Sequence, residues 1–290
     1  MSTGPAPAGT SGSGAAASRD LFEYVLRLGD DALIAAQRLS EWVSRAPELE
    51  TDMALANIAL DQLGQARLLL SHAGEVENAG RGEDDLAYLR GEREFRNCQL
   101  VELPNTRPSV GPGETVAAVG PPSTAGADGL DFAVTIGKLL FLSCYQHALY
   151  QRLVSSADQR LAEIAGKAVK ETAYHLDHAT LWTLRLGDGT DESHQRMQTA
   201  VDALWPYTHE VFQADELTAR LAAAGIAVDP SGLRAVWLAT VETTLAEATL
   251  RRPADGWAPA GGRAGVHTEA LGYLLSEMQS LHRAHPGARW

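Results

Sequence analysis

Cysteine is nearly absent from this chain of 290 residues: Cys98 and Cys144 are the only two. They can form at most one bridge, which excludes a small secreted fold stapled by disulfides and leaves two reduced thiols in a reducing compartment. Positive charge is also scarce. Lys and Arg total 24 against 37 Asp and Glu, a formal net charge of -13. Such a surface repels polyanions, which argues against broad nucleic-acid or anionic-membrane binding. Residues 1–18 contain no Lys or Arg and no apolar stretch. A signal peptide needs both, so residues 1–19, rich in Gly, Ala, Ser and Pro, read as a disordered tail. Lys138 interrupts the best apolar run, so no stretch is expected to span a membrane. The protein is expected to be cytosolic.

What the chain has in quantity is helical periodicity. From Asp20, a candidate cap, apolar residues recur at three- and four-residue steps through Leu21, Val25, Leu28, Ala32, Ala36 and Leu39, and Pro47 closes the segment. The next helix, 49–72, is apolar on nearly every side, as expected in the middle of a bundle. Its few polar residues, Asn57, Asp61 and Gln65, form one stripe at four-residue spacing. Further helices are expected at 83–100, 131–153, 158–186, 191–212, 231–251 and 268–282. Residues 104–129 are rich in Pro, Gly, Ser and Thr and read as a flexible loop. Strand-like alternation is almost absent. Two pairs of long helices joined by a loose crossover give an all-α fold, one domain over 20–290, with the C-terminal helices beside a four-helix core.

A bundle with carboxylates inside raises the question of a di-iron site, which takes one Glu from each of two helices and a Glu-x-x-His pair from each of the other two. None of the nine histidines has Glu three residues before it. The only acidic match, Asp191 to His194, lies at a helix start, where capping explains it. Two half-pairs remain. Glu171 precedes His175 by four residues with Thr172 in the three-residue position, and Asp61 is followed three residues later by Gly64. Against a metal reading stands the plainer one, that a lone His or Asp inside a bundle is a hydrogen-bonded core residue. No phosphate-binding loop, zinc-protease HExxH or nucleophilic triad is present in a context that supports it.

The stretches LRLGDDALIAAQRLSEW (26–42), APELETDMALANIALDQLGQAR (46–67), KAVKETAYHLDHATLWTLRLGDGTDES (167–193) and GVHTEALGYLLSEMQSLHRAHPGARW (265–290) resemble the PaaC-type C subunits of phenylacetyl-CoA (ring 1,2-) epoxidase complexes. The resemblance implies a ferritin-like helical bundle and a structural, non-catalytic place beside a related catalytic subunit. In that family the partner carries the di-iron centre, and a separate reductase subunit delivers electrons from NADPH. It implies no cofactor on this chain, with small accessory subunits as indirect partners. It also places Glu41, Asp61, Glu171 and His175 near the lost metal site, where we expect a buried polar or ion-paired network. The competing reading is a catalytic di-iron subunit that uses Asp61, Glu171 and His175 as unconventional ligands. Thr268 is the expected cap of the last helix, and His267 and Glu269 beside it are candidate partner contacts.

Overall fold

The expected helices need somewhere to bury their apolar stripes, and they do so against one another. A computed structural model describes residues 11–107 and 129–288. Helix α1 (Ser11–Ser40) turns back into α2 (Leu49–Glu77), and α4 (Phe132–Leu153) turns back into α5 (Gln159–Gly187). Short connections make each pair antiparallel. The two hairpins close into a bundle where α2 meets α5 in antiparallel register, with Asp61 opposite His175, Gln65 opposite Glu171 and His72 opposite Asp158. Around this core lie α6 (Asp191–Leu204), α7 (Glu216–Ala223), α8 (Arg234–Glu247) and α9 (Glu269–Ala284). No strand occurs among the described residues, and the fold is the all-α, ferritin-like bundle with added C-terminal helices.

Local chemistry explains several helix starts. Asp131 accepts from Ala133 N and Asp158 from Leu161 N, so each carboxylate satisfies an amide of the first turn. Helix α1 differs from expectation: it begins at Ser11, so Asp20 lies inside it and pairs with Arg220 at 2.7 Å. Residues 1–10, the rest of the expected tail, lie outside the described residues. Most of the expected flexible loop, 108–128, does so as well. Its described ends are pinned together, since Asp131 N donates to Asn105 O at 2.7 Å and Thr106 bridges to Leu130.

Helix α4 corrects one expectation: it is long and apolar enough by length and composition to cross a membrane. In this fold 94% of its most apolar window is buried, and it acts as the central core helix. Lys138 sits within it, buried, and donates to Leu103 O at 2.5 Å. From α4 the core runs outward through an aromatic cluster. The rings of Phe141, Tyr145, Trp205, Phe212 and Trp237 contact one another at centroid distances of 5.1 to 5.9 Å. Cys98 and Cys144 are both buried and free.

The segment expected as a helix at 83–100 is instead irregular. It has a π-helical turn (Asp85–Leu89), a 3-10 turn (Glu92–Glu94) and the four-residue α3 (Gln99–Glu102). Carboxylates from elsewhere in the chain take its backbone amides. Arg96 N donates to Asp30 at 2.8 Å, Cys98 N to Asp31 at 2.8 Å and Gln99 N to Glu210 at 2.7 Å. Tertiary hydrogen bonds replace helical ones, so local propensity is overridden.

Candidate functional site

The seam between α2 and α5 carries three of the candidate residues, Asp61, Glu171 and His175. Beside it, Gln62 of α2 and Gln146 of α4 are both buried and exchange amide hydrogen bonds at 2.7 and 3.1 Å. Thr172 is fully buried. Its hydroxyl donates back to Ala168 O at 2.8 Å and lies 3.3 Å from His147 Nδ1. Because that hydroxyl proton is already committed, His147 carries its proton on Nδ1, and Nε2 accepts from Gln151 at 2.8 Å.

Nearer the surface, His175 Nε2 meets Asp61 Oδ2 at 3.1 Å. The histidine side chain is 0% exposed and the aspartate side chain 37%. Burial pulls the His175 pKa below its ordinary value; the Asp61 hydrogen bond and the Asp61 and Glu171 charges oppose this without cancelling it. The ring is therefore neutral at pH 7. A carboxylate only accepts, so Nε2 bears the proton and Nδ1 is left as a buried lone pair without a partner among the described residues. Gln65 Nε2 donates to Glu171 at 3.0 Å, and Lys167 pairs with the same carboxylate at 3.2 Å. His178 Nε2 and Gln65 Oε1 are likewise buried without partners among the described residues.

Of the four residues expected near the lost metal site, the structure thus brings together Asp61, Glu171 and His175. Glu41 is elsewhere. It holds Arg38 Nη1 at 2.6 Å and Asn105 Nδ2 at 2.9 Å, at the mouth of the 104–129 connection. The remaining three do not fit a di-iron centre: Gly64 offers no donor, Thr172 is engaged with backbone, and Asp61 and His175 face each other. Among the described residues no three His, Cys, Asp or Glu side chains converge as a metal ion requires.

The candidate contacts at the last helix need correction. The His267 side chain is fully buried. Its Nδ1 bonds Glu102 at 2.8 Å and its Nε2 bonds Phe95 O at 3.0 Å, so it pins the interior and is not a surface contact. Glu269 is exposed. Thr268 occupies the cap position, but its hydroxyl makes no cap bond; its backbone N–H donates to Glu102 at 2.6 Å.

Sequence reasoning missed a second polar centre built from buried carboxylates. Asp30 binds the Arg90 guanidinium through both oxygens, Asp31 binds Arg263 at 2.7 and 3.0 Å, and Glu102 gathers Asn97, His267 and Thr268. Glu210 accepts from the amides of Gly261 and Gly262 at 2.9 and 2.7 Å. The available signal was the acidic pair inside the otherwise apolar LGDDALI stretch of α1.

Two comparisons bear on this arrangement. The chain is 47% identical over 271 residues, 93% of its own length and 99% of the relative's, to the C subunit of the 1,2-phenylacetyl-CoA epoxidase of Escherichia coli (strain K12). The PaaA_PaaC family, described as phenylacetic acid catabolic protein, matches residues 8–290. A bundle of this architecture, matched along nearly its whole length, belongs to the phenylacetic acid catabolic protein family.

Proposed function

We propose that this chain is a structural, non-catalytic subunit of a phenylacetyl-CoA 1,2-epoxidase, a cytoplasmic monooxygenase complex of aerobic phenylacetate breakdown. In this reading a related catalytic subunit holds the di-iron centre and is the direct partner. A reductase subunit supplies electrons from NADPH, small accessory subunits attach indirectly, and this chain binds no cofactor. The observation that carries the proposal is the seam itself. Gly64 and Thr172 stand where two ligands are needed, and Asp61 and His175 are spent on each other at 3.1 Å. The residual polar network fixes how α2 meets α5 more than it stabilises the fold, because burying such groups costs desolvation.

The test is iron content and turnover, measured on the purified chain and on the co-expressed complex. The expected result is far less than two irons per isolated chain, with oxygen-dependent turnover of phenylacetyl-CoA only in the complex. Two irons per isolated chain, with turnover lacking any partner, would overturn the proposal in favour of a catalytic subunit using Asp61, Glu171 and His175.

A further inference from the structure

The outer side of the same seam exposes large apolar side chains among its charged ones. On α2, Leu49, Met53 and Leu60 are 73%, 59% and 64% exposed. Their spacing of four and seven residues puts them within about 40° of one another around the helix. On α5, Tyr174 and Leu181 are exposed by more than half and seven residues apart, so they share one stripe. The two stripes adjoin: a methyl group on Gly64 would lie 3.8 Å from Lys167 Nζ, across the gap between the helices. Single exposed apolar residues need no explanation, but two such stripes on the same side of two packed helices mark an interaction surface.

Charge and size narrow the occupant. The chain has three lysines; Lys138 is buried, and the other two, Lys167 and Lys170, stand exposed on the two turns before Tyr174. In a protein of net charge -13, the exposed lysines are concentrated on this one face. Acidic groups lie along α5 as well: Glu163 is paired with Arg160, Glu171 with Lys167, and Asp177 is exposed. Each helix has 29 residues. At 1.5 Å per residue that is about 43 Å, and two helices about 20 Å wide together offer on the order of 800 Å², the amount each partner contributes to a standard stable interface. On the same two helices, Nδ1 of His175, Nε2 of His178 and Oε1 of Gln65 are buried without partners among the described residues.

We infer that the exposed face of α2 and α5, centred on Leu60, Gly64 and Tyr174, docks another subunit of the same complex, one that presents an apolar helical surface with carboxylates opposite Lys167 and Lys170. The inference rests on the subunit reading above and assigns the surface that reading leaves open. A second copy of this chain is the less suitable occupant, because its own matching face would set the same exposed lysines against Lys167 and Lys170.

The test uses the full chain co-expressed with the remaining epoxidase subunits, with binding measured by titration and particle mass by sedimentation. Leu60→Glu and Tyr174→Glu are expected to weaken association by at least tenfold while melting as the unmodified chain does. Lys167→Glu with Lys170→Glu should weaken it further at low salt than at high salt. Trp257→Glu, at an exposed position outside this face, should bind normally. Unchanged binding by both glutamate variants, or loss of binding by the Trp257 variant alone, overturns the inference and leaves the subunit reading standing. An isolated chain that dimerises, with the dimer broken by Leu60→Glu, overturns it in favour of a second copy. Failure of the unmodified chain to bind any other subunit overturns the subunit reading itself, and this inference with it.

Discussion

Two histidine–carboxylate pairs, built from the same groups at nearly the same distance, are held in opposite protonation states. In the α2–α5 seam, His175 has one acceptor, Asp61, and a second nitrogen without a partner among the described residues. At the start of α9, His267 has two acceptors, Glu102 at 2.8 Å and Phe95 O at 3.0 Å. Burial depresses both rings. For His267 the Glu102 hydrogen bond and charge, with the Phe95 carbonyl, overcome that depression and raise its pKa; for His175 burial wins. Two acceptors require two protons, so His267 is the imidazolium and His175 the neutral ring. The lesson is that a buried charge persists only where every donor is met.

The comparison breaks most easily at the carboxylates. Glu102→Leu leaves a buried imidazolium, Asn97 and the Thr268 amide without their acceptor, and should cost about 3–5 kcal/mol of stability. Asp61→Leu leaves only one neutral N–H unpaired beside a partly exposed position, and should cost about 1–2 kcal/mol. Chemical denaturation of both variants measures the two losses. Equal losses would erase the distinction between the centres, and an Asp61→Leu variant with unchanged melting and unchanged partner binding would sink the polar-network idea altogether.

A smaller effect, of opposite sign in the two regions, should appear with pH. His267 has a raised pKa in the fold, so its contribution is complete below the unfolded value of about 6.5 and is lost as pH rises through the folded pKa. His175 has a lowered pKa, so the stability of the neutral ring is complete above about 6.5 and is lost as pH falls toward the folded pKa. The stability gap between the unmodified chain and His267→Gln should therefore narrow from pH 6 to 8. The gap for His175→Gln should narrow from pH 7 to 5. Slopes of the same sign would show that one ring has been assigned the wrong charge.

The smallest effect expected is a gain. Gly64 lies inside α2, and a methyl group there would meet nothing nearer than Lys167 Nζ at 3.8 Å. Gly64→Ala should therefore stabilise the isolated chain by about 0.5–1 kcal/mol through helix propensity. Gly29 contrasts with it on the neighbouring helix, where a methyl group would press to 2.9 Å from Leu70, and Gly29→Ala should destabilise. Thermal melts of the two variants should move in opposite directions.

The long helices were legible because apolar spacing is a local property. The expected segments at 131–153 and 158–186 coincide closely with α4 and α5, down to their Asp131 and Asp158 caps. The segment at 83–100 was not legible, since its amides are taken by Asp30, Asp31 and Glu210, which lie 66 to 111 residues away in the chain. The site divides the same way. The pairing of Asp61 with His175 lay within reach of a helical-stripe argument. Glu41 shares the chemistry, but it lies in the turn just past α1 and bonds Asn105 there.

What the sequence by itself determined is the set of helices and the lack of a Glu-x-x-His pair, because both depend on spacings of three or four residues. What only the tertiary structure decided is which of the two buried histidines carries charge. His267 differs from His175 through acceptors brought in from distant segments, and burial, which sets the cost of charge, has no local signature.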